Sequence, residues 1–127
     1  VAFDRAVDFA YDQLGLGAHY VETAQASLFT AEVHVCYLQE LSLGEHFTVS
    51  WQLLGFDQKR LHFFEHLHCG DRLIATSEQM ALHVSMTTRR TTPFPDDALA
   101  RLDYVAKAHA ALPRPPQQGR VLGIPQR

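Results

Sequence analysis

The first 17 residues form one amphipathic stretch, and most of the chain after them alternates between apolar and polar residues. Apolar positions in this stretch recur at intervals of three and four, which is the period of a helix with one buried face. Gly15 and Gly17 follow the last apolar residue, as at helices that end in a left-handed turn. One helix ahead of several half-buried strands predicts a helix at the core of a sheet that wraps around it.

Strand-like alternation with a period of two residues occurs in four segments, which span residues 27–40, 46–56, 60–68 and 72–87. The connections between them are short, with a turn predicted at residues 43–45, and short connections favour antiparallel pairing of consecutive strands. We therefore expect a meander of four strands. The segment 19–26, between the helix and the first strand, has mixed polar residues and is predicted to be a connection.

The alternation also assigns side chains to faces of the sheet. In the third strand Leu61, Phe63 and Leu67 are predicted to point inward, whereas Phe64 shares the outward side with several histidines. In the fourth strand Glu78 interrupts a face that is otherwise apolar. A carboxylate in that position must be paired, neutralised or placed beside a cavity, unless a bulge shifts the register.

A second helix is predicted to open at Asp96 and Asp97, where acidic residues suit the helix dipole, and to end before Pro113. Residues 113–127 are rich in Pro, Gln and Arg and are predicted to form an extended tail. The chain is thus expected to be one α+β domain over residues 1–112, followed by that tail.

Bulk composition excludes several classes of protein. A chain of 127 residues with a formal charge of −3 and no basic run is a poor candidate for binding nucleic acid or anionic membranes. No apolar run approaches the length of a membrane span, and no signal-peptide pattern is present. Cys36 and Cys69 lack the spacing of a disulfide framework and are expected to be reduced thiols. These features predict a cytoplasmic protein.

Polar side chains on the strands offer few recognisable chemical motifs. His62, His66 and His68 project to one side of the third strand, and His34 could share that face. Imidazoles spaced in this way can bind a metal, but no carboxylate or cysteine completes a ligand set by spacing, so no metal is predicted. Glu32 beside His34 fits either a polar outer face, a subunit contact or catalysis. Neither a serine nucleophile elbow nor a glycine-rich phosphate loop is present in the sequence.

Longer stretches of the chain carry a family resemblance. They are FDRAVDFAYDQLGLG at 3–17, SLFTAEVHVCYLQELSLGE at 27–45, LLGFDQKRLHFFEHLH at 53–68 and ATSEQMALHVSMTTRRTTPFP at 75–95. With the order of elements, these stretches resemble the 4-hydroxybenzoyl-CoA thioesterase-like acyl-CoA thioesterases. The resemblance implies a hotdog fold, in which a curved antiparallel sheet wraps a long helix. Within that family the chain is most similar to the thioesterases encoded with bacterial carnitine-degradation enzymes, whose proposed substrates are betainyl-type CoA esters.

The resemblance also implies where the chemistry lies. Such enzymes carry a first strand and a loop patterned D-x-x-G-H-x-N ahead of the long helix, and in many of them the carboxylate of that loop is catalytic. This sequence opens inside the helix without a cap residue, so we expect the first strand and the main catalytic carboxylate to lie upstream of Val1. Some hotdog thioesterases use a carboxylate on the helix. Asp4 is therefore the catalytic candidate within the chain, although Asp4, Asp8 and Asp12 also fit a solvated helix edge.

Basic residues are few and stand at strand ends: Lys59 and Arg60 open the third strand, and Arg89 and Arg90 follow the fourth. The resemblance implies that they contact the phosphates of CoA, which pair well with Arg, and the alternative is ordinary solvated strand ends. It further implies an acyl-CoA substrate, no cofactor beyond the CoA of that substrate, and a homodimer or homotetramer. The rival hypotheses are a hydratase or dehydratase on the same fold, and a non-catalytic acyl-CoA-binding or oligomerisation domain.

Overall fold

A computed structural model describes residues 2–39, 46–113, 115, 116 and 118, except for the side chains of Ala2 and Asp4. The helices and strands in these ranges are α1 (Ala2–Gln13), α2 (Ala18–Ala24), β1 (Ala26–Tyr37), β2 (Thr48–Phe56), β3 (Arg60–Cys69), β4 (Arg72–Ser85) and α3 (Asp96–His109). The predicted turn at residues 43–45 lies outside the described residues, as does most of the predicted tail. The division at residue 112 stays a prediction, although Pro115 is buried and Gln52 donates a hydrogen bond to the Pro113 carbonyl.

Helix α1 ends as its sequence predicted. Gly15 adopts a left-handed conformation with φ of 72°, and Leu16 N donates to Tyr11 O over 2.8 Å. This bond satisfies a carbonyl that the helix itself leaves without an internal partner. The chain then turns sharply, and Val7, Ala10 and Leu14 are buried on the sheet side of the helix.

Residues 18–24 were wrongly predicted to be part of a connection, since they form α2. The helix has only seven residues, begins without a side-chain cap and buries none of its residues completely. A helix this short leaves little periodic signal in a sequence, and its stability depends on tertiary contacts. One such contact is the hydrogen bond of 2.7 Å between the Tyr20 hydroxyl and His83 Nε2 on β4.

The four strands form one antiparallel sheet in the order β1-β4-β3-β2. Strands β2, β3 and β4 follow one another as the predicted meander. The prediction is wrong for β1, which pairs with β4 from Ala26↔Ser85 to Tyr37↔Ala75 instead of lying beside β2. Consecutive alternating segments do not show which strands pair, because pairing depends on long-range packing.

One face of the sheet packs against α1 and α3, and the core lies there. Leu53, Leu61, Phe63 and Ala81 meet buried side chains of both helices. The inward assignment of Leu61, Phe63 and Leu67 is confirmed, since all three are buried and alternate along β3. The face that points away from α1 is called the outer face below.

Strict alternation would place Phe29 on the same face as Val33, Val35 and Tyr37. A bulge between Thr30 and Glu32 shifts the register of β1, so Phe29 lies on the opposite face from these three residues. Phe64 follows the alternation and points to the outer face, but it is completely buried there.

Helix α3 begins at Asp96 and ends before Pro113, as predicted, and buries Ala98 and Leu102. Two polar contacts attach it to its neighbours. Arg101 Nε donates to Leu14 O over 2.7 Å, and Leu53 N donates to His109 Nδ1 over 2.8 Å. Within the described ranges, no helix has the length and apolar character needed to cross a bilayer.

Candidate functional site

The turn into β3 presents two of the predicted substrate-binding residues. Asp57 Oδ1 accepts hydrogen bonds from the backbone N–H groups of Lys59 and Arg60 at 2.9 and 2.8 Å. Its other oxygen accepts from Arg60 Nε at 2.7 Å, and this bond is the main reason why the pKa of Asp57 lies below its ordinary value. The carboxylate therefore orders the turn and fixes the Arg60 guanidinium at the end of the sheet.

The segment after β4 folds back towards the same end of the sheet. Ser85 N donates to Arg90 O at 2.9 Å, while Arg89 N donates to Ser85 O at 2.8 Å. The backbone of His83, near the end of β4, joins both segments: its N–H donates to Lys59 O, and its carbonyl accepts from Thr92 N on the segment after β4. The backbone thus brings Lys59, Arg60, Arg89 and Arg90 to one end of the sheet, here called the basic rim.

A cavity of about 490 Å³ opens at the basic rim. Its lining residues are Asp57, Gln58, Lys59, Arg60, Leu82 and Thr91. Arg89 and Arg90 directly precede the lining residue Thr91 in the sequence, but they do not line the cavity themselves. Arg89 has a left-handed backbone with φ of 61°, an uncommon conformation for a residue with a side chain and one that recurs at functional sites.

Asp4 belongs to the first turns of α1, and its side chain lies outside the described residues. The packing of α1 nevertheless locates this position along the sheet. Phe3 packs against the cluster that contains Leu67, near one end of β3, whereas Leu14 belongs to the cluster that contains Leu61, near the other end. The start of α1 is therefore separated from the basic rim by about the length of the helix, roughly 18 Å for 12 residues.

A buried carboxylate on the face against α1 was missed by the sequence interpretation. Glu65 has no exposed surface and lies opposite Trp51 on β2 and Ser77 on β4. Gln79 Nε2 donates to Glu65 Oε1 at 3.1 Å and to Ser77 Oγ at 3.2 Å. The signal was present in the sequence, because position 65 continues the inward alternation of residues 61 and 63.

Tyr11 connects this carboxylate to helix α1. Its ring meets Phe63 edge-on at 6.1 Å between centroids. Burial, the charge of Glu65 and the charge of Asp8, in that order, raise the pKa of the Tyr11 phenol above its ordinary value. The hydroxyl therefore stays protonated.

A second cavity, of about 480 Å³, lies between the second half of α1, helix α2 and the start of β1. Its lining combines two carboxylates, an aromatic ring and small or aliphatic side chains: Asp8, Tyr11, Asp12, Leu16, Gly17, Ala18, Val21, Ser27 and Leu28. Asp8 and Asp12 of the acidic stripe on α1 thus lie at the mouth of this cavity and are exposed to solvent.

On the outer face the structure brings Glu78 and His62 together, with Glu78 Oε2 and His62 Nε2 2.6 Å apart. Both line a cavity of about 270 Å³ together with Glu32 and His34. The expectation that Glu78 must be paired or lie beside a cavity is confirmed on both counts.

The other outer-face histidines stack on one another. The rings of His66 and His68 are 5.9 Å apart, and burial together with the His68 charge lowers the pKa of His66. Across the described ranges, no three His, Cys, Asp or Glu side chains are grouped so as to hold a metal ion.

Comparison with known proteins gives consistent relationships. A family model described as the thioesterase-like superfamily matches residues 1–102. A betainyl-CoA thioesterase of Pseudomonas aeruginosa is 41% identical over 127 residues, covering 98% of this chain and 80% of that protein. An L-carnitine dehydrogenase/betainyl-CoA thioesterase of Rhizobium meliloti is 40% identical over 113 residues, which cover 87% of this chain and 22% of that longer protein.

Solved structures agree with these sequence relationships. A hypothetical protein of Staphylococcus aureus, solved in complex with CoA, matches with a TM-score of 0.91 and 35% identity. The match covers 97% of this chain and 78% of that one. The predicted hotdog fold is confirmed, with the difference that α3, at 14 residues, is longer than the 12-residue α1.

Proposed function

The chain belongs to the thioesterase-like superfamily, and we propose that its substrate is a small acyl-CoA ester of the betainyl type. The class predicted from the sequence, an acyl-CoA thioesterase, is confirmed. It is favoured over the two rival hypotheses, a hydratase or dehydratase and a non-catalytic domain. Two relatives of this chain carry betainyl-CoA thioesterase in their names, and these names support the acyl group.

Hydrolysis of a thioester needs a carboxylate that attacks or activates water, and donors that hold the carbonyl oxygen as charge develops on it. We assign the carboxylate role within this chain to Asp4, in the first turns of α1. Backbone N–H groups at the start of a helix point along its axis and favour negative charge. The sequence predicts that the start of this helix lies upstream of Val1, so we expect the donors for the developing oxyanion there.

We propose that the basic rim binds the phosphates of CoA. The clustering of its four basic residues is the observation that carries the proposed function. Lys59, Arg60, Arg89 and Arg90 come from separate parts of the chain, and the fold collects them at one end of the sheet. The rim stands roughly 18 Å from the start of α1. An extended pantetheine arm has a reach similar to about five peptide units, roughly 17 Å, so one CoA ester can span both places.

We further propose that the chain acts as a homodimer or homotetramer in the cytoplasm. Strand β1 is an edge of the described sheet, and Phe29, Val33, Val35 and Tyr37 along it are exposed. An edge strand with apolar side chains on it is a favourable surface for pairing with a second copy. Cys36 and Cys69 are thiols, in keeping with a reducing compartment.

The decisive experiment is steady-state hydrolysis of a panel of acyl-CoA esters that includes betainyl-CoA, acetyl-CoA and benzoyl-CoA. We expect the highest kcat/KM with betainyl-CoA. Asp4→Asn should lower kcat by roughly a hundredfold or more, since general-base catalysis contributes about that factor. The matched control is Asp103→Asn on the exposed side of α3, which should leave kcat unchanged.

The rim is tested in the same assay. Lys59→Ala and Arg90→Ala should each raise KM about tenfold with little change in kcat, because removal of a phosphate contact weakens binding before and during reaction alike. Light scattering gives the oligomeric state. Absence of hydrolysis for every ester would contradict the proposed substrate, and an unchanged kcat in Asp4→Asn would remove Asp4 from the chemistry.

A further inference from the structure

Asp57 and Arg60 form an ion pair at the turn into β3, and both residues line the cavity of the basic rim. Asp57 Oδ2 accepts a hydrogen bond from Arg60 Nε at 2.7 Å and lies 2.6 Å from Arg60 Nη2, so it occupies one side of the guanidinium. Asp57 Oδ1 accepts instead from the backbone N–H groups of residues 59 and 60. One oxygen thus orders the turn, while the other holds the arginine side chain.

The opposite side of the guanidinium faces away from this contact. Neither contact with Asp57 uses Nη1, and the Arg60 side chain is 57% exposed. A guanidinium carries five N–H donors in a planar fork, which suits a phosphate that binds through two of its oxygens. Arg60 can therefore contact Asp57 on one side and a phosphate on the other at the same time.

Arg60 borders two cavities, so the orientation of its side chain matters. Besides the cavity of about 490 Å³ at the basic rim, it lines one of about 220 Å³ together with Phe56 and His62. A free arginine side chain has many rotamers and loses entropy when a ligand selects one of them. Because Asp57 already restricts Arg60, less entropy is left to be lost when a ligand binds.

We propose that Asp57 is a positioning residue of the CoA site, which holds the Arg60 guanidinium in the orientation that binds a phosphate of CoA. This proposal rests on the proposed function, because it deepens the assignment of the basic rim to the phosphates of CoA. Exposed ion pairs contribute little to stability, and the two side chains of this pair are 44% and 57% exposed. Orientation of Arg60 is therefore the main consequence of the contact.

Positioning and simple electrostatics predict opposite effects of Asp57→Asn. Asp57 places a negative charge at a site for anions, so Coulomb repulsion alone predicts that its neutralisation tightens the binding of CoA. Positioning predicts weaker binding. An asparagine keeps an oxygen that can order the turn, but its NH₂ group cannot accept a hydrogen bond from Arg60 Nε.

The test is a double-mutant cycle in which calorimetry measures the Kd of CoA for the full chain at about 0.1 M salt. Arg60→Ala should weaken binding about tenfold, because it removes a charge-assisted contact with phosphate. Asp57→Asn should weaken it about threefold to fivefold. In the Arg60→Ala background, Asp57→Asn should leave the Kd unchanged or lower it, since no guanidinium is left to position.

Controls separate this effect from general changes in charge and folding. Asp103→Asn removes a carboxylate from another exposed ion pair, with Lys107 on α3, and should leave the Kd of CoA unchanged. Adenosine 3′,5′-bisphosphate, which carries phosphates of CoA without the pantetheine arm, should show the same pattern as CoA across the cycle. Thermal melting monitors folding of Asp57→Asn. A second variant, Arg60→Lys, keeps the positive charge without the planar fork and should weaken binding about threefold.

A Kd of CoA that is equal or lower in Asp57→Asn overturns the positioning role and leaves the basic rim as the phosphate site. The same loss from Asp57→Asn with and without Arg60 also overturns it, because Asp57 then acts through another group. Native affinity in Arg60→Lys would show that a point charge suffices, which contradicts an oriented fork. Absence of CoA binding by the native protein contradicts the proposed function itself and, with it, this role. Where an ester is hydrolysed, Asp57→Asn should lower kcat/KM mainly through KM, and a loss confined to kcat would contradict the proposal.

Discussion

The two faces of strand β3 each present a carboxylate system, and the two systems are built differently. Against α1, buried Glu65 accepts a hydrogen bond from the neutral amide of Gln79 among aromatic rings. On the outer face, His62 on β3 meets Glu78 on β4 over 2.6 Å, and both side chains keep some exposure. The first carboxyl group is completely buried, whereas the second lies beside an imidazole near solvent.

This difference decides what a substitution on each face tests. Glu65 is completely buried between β2 and β4, so its replacement tests the interior of the face against α1. Glu78 is paired with an imidazole near solvent, which favours a structural role for this pair on the outer face.

The largest effect is expected from the core of the face against α1. Phe63→Ala should lower the free energy of unfolding by about 3–5 kcal/mol, because Phe63 is completely buried and its ring contacts Tyr11 and Trp51. Urea denaturation measures the loss. Phe9→Ala is the matched control, since that ring is 67% exposed and its removal should change stability by less than about 0.5 kcal/mol. A similar loss in both variants would contradict this placement of the core.

The two carboxylates should respond differently to neutralisation. Glu78→Gln should cost about 1–3 kcal/mol of folding free energy, because it weakens a charge-assisted hydrogen bond to His62. Glu65→Gln keeps an oxygen acceptor for the Gln79 amide but places a new NH2 group at a completely buried position, so it should cost at least about 1 kcal/mol more than Glu78→Gln. Denaturation curves of both variants check the order, and a smaller loss in Glu65→Gln would contradict it.

The pH dependence of stability should come from histidines on both faces. Burial lowers the pKa of His109, and burial together with His68 lowers that of His66, both from an ordinary value of 6.5. Folding therefore favours the neutral rings, and the unfolded chain takes up more protons below that value. Stability should be full above pH 6.5 and should decrease as the pH falls from there through the lowered native values.

His109 can be separated from His66 by mutation. Its Nδ1 accepts the Leu53 N–H only while it is unprotonated. His109→Ala should cost about 1 kcal/mol near pH 8 and less near pH 5, where the native bond is already weakened. Denaturation of His109→Ala and His66→Ala at both pH values measures how much each histidine contributes to the pH dependence of stability. If His109→Ala costs the same free energy of unfolding at both pH values, His109 does not contribute to that pH dependence.

The smallest effect on stability is expected at the basic rim. Arg89→Gly should change stability by less than about 1 kcal/mol, because relief of the left-handed backbone offsets the greater freedom of glycine in the unfolded chain. The same variant should raise KM for an acyl-CoA ester several-fold if Arg89 contacts phosphate. A KM equal to that of the native protein would leave the conformation of Arg89 without a role in binding.

The sequence was most informative where a local pattern decides the structure. Periodicity located α1, α3 and all four strands, and alternation placed Leu61 and Phe63 on the inner face. The basic residues at strand ends were recognisable as one candidate site, because antiparallel strands bring alternate ends together. Asp4 stays a prediction, and its side chain lies outside the described residues.

Tertiary structure decided whatever depends on contacts between distant segments. The pairing of β1 with β4, the bulge that moves Phe29 to the other face and the formation of α2 have no strong local signal. The same is true of the packing of Tyr11 on α1 against Phe63 on β3. A sequence specifies the period of each segment, because side-chain direction is set by the local backbone. Which segments meet depends on the free energy of the whole packed chain.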